Sequence, residues 1–488
     1  MSQIKKIIIL GEDEHAWFAA AVLAFNCPWL SVTVLGENEN NSGFYAAATR
    51  GNCQDFFCSL GFSWQELLFS SSATYKLANH YVNDDDNRLD FFHSCSTYGA
   101  DIGLFEFHHV IKALNHDFPS AFFDAYSLEA QAAKHGKFIV NRDSAWGLHY
   151  DRIAFSKLLK TYAQQLGVKH IADAITSVDV DSPAKINQII TGNGNTYAAD
   201  FYIDARSSNS TSSFEMNELQ NTPRRSNALS SWCLTAFLDE HQVYRPATEY
   251  RRINDQYWIK KIPLQSRTIV ELYGAGPLPR QKNYSALFNN LGYLIQESSV
   301  KLIILASGRK NVFWNGNCLA LGDSAVALGN LAFPALEVTK VQLEKLLKYF
   351  PCMEQNDKLI AEYNRITTQA VDNILDYHCL ISAILRKGSL DKELNGLYPS
   401  LVARINYFMS TGRYEFHENE LISKDEWISL LMGFGVPIKE RDALIGTSEL
   451  ERLAILLNSM SAEIKKSVAE MPNHLIFLSQ FLQSKNKR

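Results

Sequence analysis

The sequence predicts an α/β fold of the Rossmann-like, FAD/NAD(P)-binding kind, continued by a helical C-terminal region. Three observations predict it. The chain opens strand, turn, helix, strand within its first 35 residues. A glycine, Gly11, closes the first strand where such folds bring backbone close to a phosphate. After Pro334 the apolar spacing turns helical almost to the end. The expected division is 1–350 for the α/β domain, with an inserted substrate-side sheet, and 351–488 for helices packing on it.

Each element follows from its pattern. Residues 7–10 (Ile-Ile-Ile-Leu) are a short buried strand, 17–24 an apolar helix and 32–35 a second strand. Residues 152–166 are an amphipathic helix, with Phe155, Leu158, Leu159, Tyr162 and Leu166 at three- and four-residue steps. Strands are expected at 189–190 and 200–204, with a turn at 193–195 (Asn-Gly-Asn) between them. Residues 207–225 are rich in Ser, Asn and Thr and read as a loop. Further strands are expected at 229–238, 268–273 and 319–321. Helical spacing marks 341–350, 358–385, 427–431 and 449–457. The pairs Phe56-Phe57, Phe91-Phe92 and Phe122-Phe123 read as core. His108-His109 reads as a helix or strand surface rather than a metal site.

Composition excludes several classes. The 488 residues carry a formal charge of -5 with 46% hydrophobic content, ordinary for a globular protein and unlike a nucleic-acid binder. No apolar run is long enough to span a membrane, and the N-terminus lacks a signal-peptide pattern. The eight cysteines form no C-x-x-C pair. Reduced thiols in a cytoplasmic protein are expected, with neither zinc site nor disulfide framework.

Several segments, in order, resemble the flavin-dependent tryptophan halogenase family over most of the chain. They are Ala73-Thr74-Tyr75-Lys76 with Tyr81-Val82-Asn83, then 146–168 with His149-Tyr150-Asp151. Next come Trp258-Ile259-Lys260-Lys261-Ile262-Pro263 and Gly308-Arg309-Lys310 with Trp314, Asn317-Cys318 and Gly322. Last are Pro334-Ala335-Leu336-Glu337-Val338-Thr339 and Trp427, Gly433, Gly435 and Pro437. The resemblance implies a flavin monooxygenase/halogenase fold. It also implies electrophilic halogenation of tryptophan or a related aromatic, with oxygen, halide and FAD reduced by a separate flavin reductase. A homodimer is compatible with the sequence.

The resemblance also implies roles. Lys76 falls on the lysine that hydrogen-bonds or carries the halogen species. Glu337 falls on the carboxylate that stabilises the cationic ring intermediate and removes its proton. The family's Thr-Gly halide position falls on Thr339-Lys340. In the tryptophan box, Trp258, Ile262 and Pro263 remain, while Lys260 replaces the second tryptophan.

The flavin cradle departs from the family pattern. Gly11 and Ala16 suit a dinucleotide loop, but Asp13 stands at the second glycine. A carboxylate about 4 Å from a phosphate charge repels it by roughly 4 kcal/mol at an effective dielectric near 20, on the order of a thousandfold in affinity. Glu12 and Glu14 add negative charge. The ribose acid falls on Gly36, so Glu37 would serve only with a one-residue slip. The stretch 43–48 lacks the family's glutamate, and the late D-x-x-G falls on Asp204-Ala205-Arg206-Ser207. Gly322-Asp323 resembles the ribityl-contacting turn. An ordinary helix capped by acidic residues is the other reading of the first loop. These departures leave two alternatives open: an inactive binding or regulatory protein on the same fold, and a monooxygenase of altered reaction type.

Overall fold

The structure is a computed structural model. It describes residues 3–37, 43–51, 57–83, 89–114, 120–138, 140, 145–182, 185–206, 230–238, 245–274, 276–278, 283–305, 308–329, 333–354, 356–387, 394, 397–417, 419–440 and 442–485. The expected loop at 207–225 lies outside them.

Branched apolar runs with no polar alternation belong in a sheet covered on both faces. That is where Lys6–Leu10 sits. It pairs in parallel with Ser31–Leu35 on one side and Phe201–Asp204 on the other. Lys169–Ile171 and Cys318–Ala320 extend the sheet in parallel, and Trp314–Asn315 closes it antiparallel. The first helix, Glu14–Asn26, is buried along most of its length and packs against Arg152–Gln165.

A seven-stranded sheet forms the second layer. Its order is Lys301–Ile304, Trp232–Leu238, Thr268–Gly274, Tyr257–Pro263, Ala247–Arg252, Ala78–Asn83 and Asp90–Ser94. A small sheet of Ala46–Ala48, Gly147–Asp151 and Thr74–Lys76 joins the layers. Only Leu77 separates Thr74–Lys76 from the large sheet's Ala78–Asn83, so Lys76 stands at the junction.

The helical region comprises Asp357–Lys387, Pro399–Thr411, Lys424–Gly433, Leu450–Glu470 and His474–Lys485 among the described residues. Its buried side chains share one apolar cluster with the first helix and the parallel sheet. The helix expected at 449–457 runs on to Glu470, since its charged face carries no stop signal. Phe57, Phe91, Phe92 and Phe123 are core, as expected, while Phe56 lies outside the described residues. The His108-His109 pair is not on a surface. It opens the Phe107–Leu114 helix and both rings are buried, because this amphipathic helix turns its first residues inward.

Candidate active site

Lys76 is a buried lysine on a strand, not a surface one. Burial lowers its pKa to about 8, with the like charges of Lys260 and Arg50 adding to the effect. Cys95 and Glu337 act the other way. Lys76 and Glu337, 261 positions apart in sequence, therefore lie in one electrostatic environment. Glu337 sits in the first turn of Ala335–Lys348, where the helix dipole favours a carboxylate.

Arg50, Glu426 and His93, which sequence reasoning missed, share this electrostatic environment. Arg50 forms an ion pair with Glu426 and also feels Glu337. Glu426 closes a capping box at the Lys424–Gly433 helix, receiving the Ser423 backbone N–H at 3.1 Å. One carboxylate thus starts a helix and holds an arginine. Burial pushes His93 down to about 4, so its ring is neutral, and its Nδ1 lies 3.4 Å from the Tyr377 hydroxyl. Trp427 packs edge-on against Tyr377 and stacks on Tyr414. Tyr414 lines a cavity of about 770 Å³ bounded also by Arg404, Asn373 and Tyr407. A lone arginine, histidine or glutamate carries no period or motif, so only the fold reveals these partners.

The tryptophan box is the Tyr257–Pro263 strand. Trp258 stacks on Tyr273 at 3.9 Å between centroids, and Ile262 is fully buried. The Pro263 carbonyl accepts the Thr74 hydroxyl at 2.7 Å, tying the box to the strand of Lys76. His149 bridges Thr74 and Thr248 at 3.1 and 2.9 Å. Lys260 is buried with its Nζ 3.4 Å from Glu271 Oε2. Burial lowers the Lys260 pKa, and Glu271 opposes that shift.

At the nucleotide end, Gly11 has φ +121°, and a Cβ there would lie 2.8 Å from the Ala205 carbonyl oxygen. The tight turn of a dinucleotide fold is retained. Asp13, however, is the helix N-cap: its Oδ1 accepts the N–H groups of His15 at 2.9 Å and Ala16 at 3.1 Å. These are the donors a pyrophosphate would need. Burial raises the Asp13 pKa, chiefly against the opposing pull of His15. Glu12 pairs with Lys160 at 2.9 Å and His170 at 3.1 Å, and Glu14 with Arg152 at 2.9 Å. The pyrophosphate of FAD does not fit this loop in the usual pose, because the chain's own carboxylate holds the helix N-terminus.

Other expected contacts are placed as follows. Gly322 has φ +58°, and a Cβ would strike the His15 ring at 2.8 Å. Asp323 lies 3.8 Å from His15 Nε2. Glu37 is exposed just beyond the Ser31–Leu35 strand. Asp204 is buried and held at about 2, where Arg206 outweighs burial. Thr339 is fully buried, its hydroxyl 2.7 Å from His15 Nδ1. Lys340 Nζ lies 3.7 Å from Glu344. Both stand inside the Ala335–Lys348 helix, past its first turn, where the Glu337 N–H already donates to the Pro334 carbonyl at 3.1 Å. Seven described cysteines are free thiols. No described helix is long and apolar enough to cross a membrane.

Comparisons with known proteins agree with this architecture. Tryptophan 7-halogenase RebH of Lentzea aerocolonigenes is 24% identical over 411 residues, 77% of this chain and 75% of its own. The flavin-dependent halogenase BrvH from Brevundimonas sp. BAL3 superposes with a TM-score of 0.87 at 22% identity, covering 98% of this chain and 99% of its own. A flavin-dependent halogenase from Xanthomonas campestris gives 0.86 at 20% identity, covering 98% of each. At these identities the structures speak for the fold. The tryptophan halogenase family profile matches residues 6–449, and the chain belongs to that family.

Proposed function

We propose that the chain halogenates an electron-rich aromatic ring, tryptophan or a related compound, at Lys76. The observation that carries this reading is the burial of Lys76 within electrostatic reach of Glu337, with its pKa brought to about 8. Lys76 holds the electrophilic halogen, as an N–halogen bond or through an N–H hydrogen bond. A ring carbon attacks the halogen, forming the carbon–halogen bond as the N–halogen bond breaks and returns its electron pair to the lysine nitrogen, or as the O–halogen bond of a hypohalous acid held by the ammonium breaks and its oxygen leaves as water. Glu337 lies against the developing positive charge and takes the ring proton. Arg50, fixed by Glu426, adds positive charge near both.

In the family the halogen electrophile comes from reduced FAD, oxygen and halide, with a separate reductase supplying the flavin. In this chain Gly11, Ala16, Gly322 and Asp323 would line that cradle, and Glu37 would serve its ribose end. Asp13 opposes the pyrophosphate. Thr339 and Lys340 stand at the family's halide position, and of the two the Lys340 ammonium would supply positive charge to an anion. The free thiols support a cytoplasmic location. The alternative, a scaffold that has left catalysis, has the Asp13 cap on its side and is not favoured by the halogenase relatives.

The test is halide-dependent turnover of tryptophan and indole with FAD and a flavin reductase, read by mass spectrometry. Wild type should give a halogenated product, and Lys76→Ala none, with fold and FAD titration unchanged. Turnover by Lys76→Ala equal to wild type would sink the role given to Lys76. Absence of FAD binding at high micromolar concentration would favour the non-catalytic alternative.

A further inference from the structure

We propose that Glu106, His108 and His109 form a binding site for a divalent transition-metal cation of the zinc type. It uses none of the residues placed around Lys76. Each of the three side chains has a ligand atom within 4.8 Å of those of the other two. Two imidazoles and one carboxylate are a donor set suited to zinc, cobalt or nickel rather than to calcium or magnesium.

Orphaned polar atoms point the same way. The His109 ring is 2% exposed, yet neither Nδ1 nor Nε2 has a hydrogen-bond partner. Leaving such a nitrogen buried and unpaired costs about 1–3 kcal/mol, and a bound cation would remove the deficit. Glu106 Oε1 receives Lys424 Nζ at 2.6 Å, but Oε2 is buried without a hydrogen-bond partner. His108 Nε2 lies 2.6 Å from the Gly412 carbonyl oxygen. The same Nε2 lies 3.7 Å from Glu106 Oε2; when Nε2 donates to the carbonyl, Nδ1 carries the lone pair, the arrangement in which a backbone carbonyl orients a metal-binding histidine.

The surroundings supply access and charge. A cavity of about 300 Å³ is lined by Glu106 and His108, with Asp101, Asp425 and Lys424. Three carboxylates against one ammonium favour entry of a cation. Donors around a four-coordinate ion at ~2.0–2.1 Å lie about 3.4 Å apart, so ligand atoms within 4.8 Å of one another need approach by no more than about 1.4 Å to close the set. The bound ion would tie the start of the Phe107–Leu114 helix to the turn at Gly412 and, through Lys424, to the Lys424–Gly433 helix.

The experiment titrates the chelator-stripped full chain with Co²⁺, followed by visible absorbance, and then displaces it with Zn²⁺. One equivalent should bind with a Kd of about micromolar or tighter, and Zn²⁺ should raise the Tm. Glu106→Gln, at a half-exposed position, and His109→Gln should each weaken binding at least about tenfold and remove the Tm shift. Circular dichroism checks that the variants fold, and Glu106→Gln decides the matter if His109→Gln does not. The proposal is overturned if wild type shows no saturable binding, or if a folded Glu106→Gln binds Co²⁺ as wild type does.

Discussion

Lys260 Nζ lies 3.4 Å from Glu271 Oε2, and both side chains are buried inside the seven-stranded sheet. The Tyr273 hydroxyl donates to the same Oε2 at 2.7 Å. A lysine in the tryptophan box is therefore a built feature with its counter-charge one strand away. Removing one member of such a pair strands the other. Lys260→Met should destabilise the fold by about 3–5 kcal/mol. Lys260→Met with Glu271→Leu should recover much of that loss. Urea unfolding of the three proteins checks this. A single variant as stable as wild type would mean that the pair contributes nothing.

The cap at Asp13 makes a separate prediction. Asp13→Gly frees the N–H groups of His15 and Ala16 and removes a charge from the helix N-terminus. Replacing a capping residue by glycine costs only a few tenths of a kcal/mol, so the fold should survive. FAD affinity should rise by about tenfold or more, read by flavin fluorescence titration. An unchanged Kd would place the phosphates elsewhere.

How far the sequence could be read depended on whether a residue's partners were local. The Lys6–Leu10 strand and the Arg152–Gln165 helix announce themselves through apolar spacing, because each needs a covered face. Lys76 and Glu337 were legible only through motif resemblance, since nothing local distinguishes a buried lysine from an exposed one. Arg50, His93 and Glu426 were illegible. Their meaning lies in mutual contact across 376 positions for Arg50–Glu426 and 333 for His93–Glu426. Asp13 was legible as an acid at the start of the first helix. Its capping geometry, which takes up the N–H donors, needed coordinates.

Asp124 gives a stability prediction with a sign. Burial raises its pKa to about 6, against the opposing pull of Lys134. A raised folded value means that protonated Asp124 favours the fold. That contribution is complete below the unfolded value of about 3.9 and is lost as pH rises through about 6. At pH 7 the loss is at most on the order of 3 kcal/mol, since each tenfold change in proton affinity is worth about 1.4 kcal/mol. Asp124→Asn should therefore be more stable than wild type at pH 7, and much closer to it at pH 4. Denaturant midpoints at the two values test this. A variant less stable at pH 7 would show that the Lys134 contact dominates.

Lys76 carries the last prediction, and it separates two chemical roles. With burial holding its pKa at about 8, the amine changes from mostly charged to mostly neutral across an accessible range. Forming an N–halogen bond requires the lone pair, which exists only on the neutral amine. Donating a hydrogen bond to a halogen acid remains open to the charged form. We expect the halogenation rate to rise through about pH 8, because a desolvated lysine beside Arg50 and Lys260 is held toward its neutral form. The flavin reductase must be kept in excess, so that flavin supply does not shape the profile. A rate that falls through the same range would assign the hydrogen-bonding role instead. A flat profile would remove Lys76 from the chemistry. Glu337→Gln should lower the plateau by about a hundredfold or more while leaving the midpoint close to its wild-type position, since the nearby carboxylate is a lesser influence on Lys76 than burial.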